Sequence, residues 1–149
     1  MIAIIDYKAG NITSVRLGCE AVGATAQITS DPDIIRAASH IIFPGVGAAG
    51  YAMEKLQESN LIPIIKECIA SDKPFLGICL GTQILFEHSE EDGGVKTLGV
   101  FPGNVKKFIP QSHLDKIPHM GWNQAKQKYA HPLLKGVPDG ADFYFVHSY

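Results

Sequence analysis

The sequence predicts an α/β fold with three layers: a mostly parallel sheet with helices on both faces, followed by a more antiparallel, β-rich second half. Over the first 87 residues, hydrophobic strand signals alternate with helix signals, which is the pattern of repeated βα units. The stretch Gly77-Ile78-Cys79-Leu80-Gly81 indicates a sharp turn between a buried strand and a helix. After Ser89, shorter strand-like segments are separated by prolines and glycines, which favours β structure that is antiparallel in part.

Each expected element has a local signal. Short hydrophobic runs bounded by turn residues predict strands at residues 2–5, 24–29, 40–43 and 75–78, and later at 103–109, 118–125 and 141–148. Caps and apolar periodicity predict helices from Asn11 to about residue 22, from Ser30 or Asp31 with Pro32 in the first turn, over about 48–70 with breaks near residues 59–60 and Pro63, and over 82–87. Residues 90–94 are predicted to form a polar loop, and the simplest interpretation of its acidic residues is a solvent-exposed turn.

Composition limits the classes of protein to consider. At 149 residues, the chain has the length of a single domain, and its 46% hydrophobic and 19% charged residues are ordinary for a globular protein. A net charge of −2 gives no basic surface for nucleic acid or for an anionic membrane. No apolar run approaches the ~20 residues that span a bilayer, and Met1 leads directly into a strand without a signal peptide. Three cysteines without framework spacing suit a reducing compartment, so we expect a single-domain cytoplasmic protein.

Cys79 differs from the other two cysteines. Cys19 and Cys68 lie on apolar stripes at helical spacing, which predicts that both are buried packing residues. Cys79 has a glycine two positions away on each side, so that strand and helix can pack closely around a tight turn, as in a nucleophile elbow with a thiol in place of the hydroxyl. The start of a helix also favours the thiolate form. The alternative is a small buried cysteine between two chance glycines.

Several separated motifs carry a resemblance to a known family. Pro44-Gly45-Val46-Gly47 ends the third strand, and Gly77-Ile78-Cys79-Leu80-Gly81-Thr82-Gln83 follows it in the fourth βα unit. Together they resemble the class I glutamine amidotransferases that use a cysteine triad. The segments Asp6–Asn11, Pro118–Asn123 and Phe145–Tyr149 are similar to one branch in particular, the glutaminase subunits of imidazole glycerol phosphate synthase. Other branches, which serve pyrimidine, purine or aminobenzoate synthesis, remain open because some of them carry a similar strand.

The resemblance implies roles for individual residues. Cys79 would attack the side-chain amide of glutamine, chemistry that needs neither a metal nor a cofactor. The backbone N–H groups of Leu80 and Val46 would form the oxyanion hole, with Gly47 giving the loop its freedom. The residues that the family uses around the glutamine correspond to Gln83, Glu91, His147, Ser148 and Tyr149. Without the resemblance, Gln83 is a polar residue of a helix, Glu91 is an acidic residue of a loop and His147 is a half-buried histidine of a strand.

The resemblance also implies a partner. The glutaminase passes ammonia to a synthase subunit, expected to be a (β/α)₈ barrel, in a heterodimer that closes the imidazole ring in histidine biosynthesis. The strand that carries Met120, Trp122 and Asn123 faces that subunit in the family, whereas core or edge packing of Trp122 is the alternative. Neither nucleic acid nor a membrane is expected as a partner.

One family motif is absent from these 149 residues. The family's general base is the histidine of a His-Pro-Glu segment, whereas the only His-Pro here is His131-Pro132, followed by Leu133. We therefore expect a glutamine amidotransferase domain over residues 1–149 that is incomplete at its C-terminus and inactive alone, since loss of one triad member costs orders of magnitude in rate. A triad-deficient, partner-binding domain without catalytic activity is the alternative.

Overall fold

A computed structural model describes residues 1–8, 10–113 and 115–149 of the chain. Ala9, which belongs to the motif at residues 6–11, lies outside the described residues. The chain divides into two compact units, Met1–Lys106 and Lys107–Tyr149, which are described separately.

The first unit is built on a four-stranded parallel sheet. Its strands occur in the order β2-β1-β3-β4. They are β1 (Ile2–Ile5), β2 (Ala26–Thr29), β3 (His40–Gly45) and β4 (Phe75–Cys79). The helices between and after them are α1 (Ile12–Ala21), α2 (Pro32–Ala37), α3 (Ala49–Glu58), α4 (Ile62–Ala70) and α5 (Leu80–Gln83). The predicted α/β class and the parallel sheet are confirmed.

Both faces of the sheet are covered at its centre. Ala3, Ile4 and Ile5 follow one another in β1 and all three are fully buried. Because successive side chains of a strand point to opposite faces, burial of all three requires cover on both sides. The run of small and branched apolar residues in β1 therefore reflects a strand inside a layered α/β structure, as the sequence predicts.

Local signals determine where the helices begin. The Asn11 side-chain oxygen accepts a hydrogen bond from the Ser14 N–H at 3.4 Å, and the Asp31 carboxylate accepts one from the Asp33 N–H at 2.8 Å. Both caps are in the predicted places and satisfy N–H groups that the first turn leaves unpaired. The break between α3 and α4 also lies where it is predicted, but Pro63 sits in the first turn of α4 instead of breaking it.

The prediction of a helix over residues 82–87 is wrong after Gln83, because α5 ends at that residue. The next three carbonyl oxygens accept hydrogen bonds from a later loop: Ile84 from Leu98, Leu85 from Val100 and Phe86 from Gly99. These bonds, at 2.7–2.9 Å, take the acceptors that a longer helix would use. The chain then enters a small sheet of order β6-β5-β7, formed by β5 (His88–Ser89), β6 (Val95–Lys96) and β7 (Asn104–Val105). Only two residues of the strand predicted over 103–109 belong to β7.

The second unit contains an antiparallel two-stranded ribbon. Its strands are β8 (His119–Ala125) and β9 (Ala141–His147), paired residue for residue along their whole length. Both strands lie where the sequence predicts them, within one residue, and their pairing fits a second half that is antiparallel in part. Between them, a short 3₁₀ helix (Pro132–Leu134) is capped by His131, whose Nδ1 accepts a hydrogen bond from the Leu133 N–H at 3.2 Å. His131 therefore has a structural explanation.

The packing at the start of α5 gives a stability prediction. A Cβ added at Gly81 would lie 1.9 Å from the Phe43 carbonyl oxygen, so Gly81→Ala should lower the free energy of unfolding by about 3 kcal/mol, the upper part of the range for overpacking. Gly18→Ala is the control, because a Cβ at this exposed position of α1 meets nothing within 4 Å; it should raise stability by about 0.5–1 kcal/mol. Urea denaturation measures both, and a Gly81→Ala variant as stable as the parent would contradict the close approach.

Candidate active site

Cys79 occupies a strained turn at the carboxyl end of β4. It is the last residue of β4 and directly precedes α5, with φ 53° and ψ −119°. A non-glycine residue at such a positive φ stores strain, which is a feature of nucleophile elbows and of other functional turns. The side chain is exposed. The strand–turn–helix context predicted for this cysteine is therefore present.

The glycines on either side of the turn allow strand and helix to approach each other closely. A Cβ at Gly77 would lie 2.9 Å from both the Cα and the hydroxyl oxygen of Thr82. A Cβ at Gly81 would overlap the Phe43 carbonyl on the neighbouring strand β3. Neither position accepts a side chain without movement of backbone, so the chance-glycine alternative does not account for the motif.

The Pro-Gly-Val-Gly segment lies directly beside the elbow. Gly45 is paired with Cys79 in the parallel register of β3 and β4. A Cβ at Gly45 would lie 2.6 Å from the Gly81 nitrogen and 2.9 Å from Leu80 Cβ. Val46, the next residue, is 51% exposed, and Gly47 has φ +88°. The structure thus brings Val46, Gly47 and Leu80, the predicted oxyanion residues, to one edge of the sheet.

Two acidic side chains anchor the helix that follows this segment. Glu91 Oε2 accepts a hydrogen bond from the Ala49 N–H at 2.7 Å, and Asp92 Oδ2 accepts one from the Gly50 N–H at 3.1 Å. Ala48, at the N-cap of α3, has no side-chain oxygen to supply this bond, and negative charge is stabilising at a helix N-terminus. Sequence reasoning selected Glu91 for substrate and missed this capping role, because the partners are 42 residues apart.

The remaining predicted substrate residues are divided between the two units. Gln83 is half-buried at the last position of α5, in the same short helix that begins after Cys79. In the second unit, the main-chain oxygen of Tyr149 accepts a hydrogen bond from His147 Nδ1 at 2.8 Å. The main-chain oxygen of Ser148 accepts one from the Phe108 N–H at 2.9 Å. His147, Ser148 and Tyr149 are thus half-buried together at the end of β9.

Tyr7, which sequence reasoning did not select, lies close to this site. It is fully buried after β1, and its ring packs edge-on against Phe43 with the centroids 5.6 Å apart. Its hydroxyl lies 2.9 Å from a Cβ built at Gly45. The apolar strand before it gives no signal that this side chain reaches the space beside Gly45.

The other cysteines are packing residues, as predicted. Cys19 and Cys68 are buried, at 8% and 2% exposure, and burial raises the pKa of the Cys68 thiol. Among the residues that the structure describes, no cluster of three or more His, Cys, Asp or Glu side chains could hold a metal ion. Within the same residues, no helix has both the length and the apolar composition that crossing a membrane requires.

Comparison with known proteins identifies the class. The family model for glutamine amidotransferase class-I matches residues 3–149. The chain therefore belongs to the class-I glutamine amidotransferase family. A crystal structure of a glutamine amidotransferase superposes on 98% of the chain, over 71% of its own length, with a TM-score of 0.69 and 12% identity, which supports the fold.

More similar relatives point to one branch of the family. The imidazole glycerol phosphate synthase subunit HisH of Dehalococcoides mccartyi is 48% identical over the whole chain, which spans 71% of that relative's length. The subunit of the same name from Nitrosococcus oceani is 50% identical over 99% of the chain and 71% of its own length. The resemblance stated from the motifs is confirmed.

The contrast among the three cysteines gives a reactivity prediction. Iodoacetamide at neutral pH should label Cys79 at least tenfold faster than Cys19 or Cys68, because alkylation needs an accessible thiolate and the other two side chains are buried. Peptide mapping after timed labelling measures the three rates in one sample. Preferential labelling of Cys19 or Cys68 would remove Cys79 as the nucleophile.

Proposed function

We propose that this chain is the glutaminase subunit of an imidazole glycerol phosphate synthase, which hydrolyses glutamine and delivers ammonia to a synthase subunit in histidine biosynthesis. The observation that carries the proposal is the exposed Cys79 on its strained elbow, beside the Pro44–Gly47 segment. The names of the relatives at 48% and 50% identity support this pathway among those of the family.

The chemistry follows from the elbow. The Cys79 thiolate attacks the carboxamide carbon of glutamine, and negative charge develops on the carbonyl oxygen. We assign the N–H groups of Leu80 and Val46 as donors to that oxygen, with Gly47 allowing the Val46 peptide to orient. Collapse of the tetrahedral intermediate releases the nitrogen, which takes up a proton and leaves as ammonia, and gives a glutamyl thioester on Cys79. Water then hydrolyses the thioester to glutamate.

Glu91 and Gln83 are assigned to the amino-acid end of the substrate. Glu91 uses one carboxylate oxygen for the Ala49 N–H, but a carboxylate has about four lone-pair sites and can also accept from the α-ammonium group of glutamine. Gln83 offers an amide to the α-carboxylate from the helix that starts at the nucleophile. His147, Ser148 and Tyr149 are assigned further substrate contacts because they match the family motif.

The ribbon of the second unit carries an apolar face that suits a protein partner. Met120 pairs with Val146 and Trp122 with Tyr144, so these four side chains lie on one face, at 52–72% exposure. The Trp122 and Tyr144 rings contact each other edge to face with centroids 5.5 Å apart. Exposed apolar patches with Trp and Tyr mark binding surfaces in proteins. We assign Met120, Trp122 and the neighbouring Asn123 to contact with the synthase subunit.

The assembly proposed here is a cytoplasmic heterodimer. One glutamine amidotransferase domain, to which residues 1–149 belong, would pair with a (β/α)₈-barrel cyclase. The match of one family model across both units supports a single domain.

A comparison of nitrogen donors tests the function. Combined with a cyclase subunit, a version of the protein that carries the family's His-Pro-Glu segment should support ring closure with glutamine, whereas residues 1–149 without that segment should not. In the active version, Cys79→Ala should abolish this activity while free ammonia still supports it, because only glutamine must pass through the thioester. The assay is run on this chain and on any longer product of the same gene. Glutamine-dependent product from Cys79→Ala would contradict the proposal.

Trp122 tests the partner surface. Trp122→Ala should weaken binding to the cyclase subunit by at least tenfold, because a large aromatic anchor is lost from the centre of the apolar face. Tyr129→Ala is the control, since Tyr129 is equally exposed, at 74%, but lies outside the ribbon. Isothermal titration measures both affinities, and equal effects of the two substitutions would exclude the ribbon face as the interface.

A further inference from the structure

The Tyr7 hydroxyl is an unpaired polar group in the interior. Among the described residues, it is the one buried side-chain nitrogen or oxygen that has no hydrogen-bond partner. Buried polar groups are almost always paired, because an unmade hydrogen bond destabilises the folded state. An unpaired buried hydroxyl therefore needs a physical explanation, and the position of this one beside the Cys79 turn suggests it.

The hydroxyl lies beside the nucleophile turn. A Cβ built at Gly45 would meet three atoms within 3 Å: the Tyr7 hydroxyl oxygen, the Gly81 nitrogen and Leu80 Cβ. The hydroxyl therefore shares the space beside Gly45 of β3 with Leu80 and Gly81, the two residues that directly follow Cys79. Tyr7 is fully buried, whereas Cys79 is exposed.

The surroundings of the hydroxyl contain few charges. Phe43 and Gly45 of β3 and Leu80 and Gly81 of α5 carry no titratable side chain. Asp6, the preceding residue, accepts hydrogen bonds from the Lys8 main-chain N–H and from Lys8 Nζ, at 2.8 and 3.2 Å. Burial, followed by the negative charge of a Cys79 thiolate, raises the pKa of Tyr7 to about 12. The phenol consequently keeps its proton at any physiological pH.

We propose that Tyr7 is a positioning residue for the nucleophile: its unpaired, buried O–H lies close to the elbow and favours the thiolate form of Cys79. A neutral donor with no acceptor gains electrostatic energy when a negative charge appears nearby, and the low dielectric of the interior strengthens the interaction. The proposal relies on the assignment of Cys79 as the nucleophile in the proposed function.

Removal of the hydroxyl provides the test. The pH profile of Cys79 alkylation by iodoacetamide, read by peptide mapping, should move up by about 0.5–1 pH unit in Tyr7→Phe, which lowers the rate below the midpoint about three- to tenfold. The melting temperature should stay the same or rise, because the variant no longer buries an unpaired hydroxyl. A merely structural hydroxyl would give a lower melting temperature and an unshifted profile.

A matched control and a second variant complete the design. Tyr51→Phe removes a phenol hydroxyl from α3, at a position 49% exposed, and should change neither profile nor melting temperature. Site-specific 3-fluorotyrosine at position 7 is a stronger hydrogen-bond donor of similar size, so it should move the alkylation profile to lower pH. This variant tests the proposal if Tyr7→Phe does not fold. An unshifted profile in whichever variants fold overturns the proposal. Because alkylation reports the thiolate without glutamine, that result would leave the proposed glutaminase function intact.

Discussion

The close approach of β3 to the turn after Cys79 is the contact on which the rest of the site depends. The Phe43 carbonyl occupies the space that any side chain at position 81 would need, and Gly45 lies against the Gly81 nitrogen in the same way. Only two glycines facing each other allow these backbones to meet. Beside this contact Cys79 adopts a positive-φ turn, and the segment after Gly45 runs along the elbow, where the proposed mechanism needs a second oxyanion donor.

The same segment is fixed at its far end by charge. Glu91 and Asp92 accept hydrogen bonds from the first N–H groups of α3, so residues 46–48 span the gap between a paired strand and a capped helix. A short span held at both ends has few conformations available, while the positive φ of Gly47 keeps one peptide adaptable. In the proposed function, Glu91 would also contact glutamine, which would join substrate binding directly to the helix that follows the oxyanion segment.

Features of the fold that arise from neighbours in sequence were predictable. The caps at Asn11 and Asp31 act over two or three residues. The glycines two positions before and after Cys79 likewise predict the tight turn from nearby sequence alone. The predictions that were wrong or incomplete depend on residues far apart in the sequence. The helix predicted through residue 87 loses its acceptors to residues 98–100, and the capping role of Glu91 depends on a partner 42 residues away. Tyr7 follows a strand and looks like core, and only the three-dimensional structure places its hydroxyl beside the elbow.

Two features in and beside the site, the backbone conformation of Cys79 and the unpaired Tyr7 hydroxyl, each lower the stability of the folded state. The strained conformation of Cys79 costs of order 1–3 kcal/mol, and an unpaired buried hydroxyl costs about 1–3 kcal/mol more. Against a typical net stability of about 5–15 kcal/mol, such losses require strong packing elsewhere in the unit. Buried side chains from β1, α2, α3 and α4 form one cluster that includes Tyr7 and Leu80. Since that cluster packs against both the elbow and the phenol, the core that stabilises the first unit also keeps the two unfavourable groups in place.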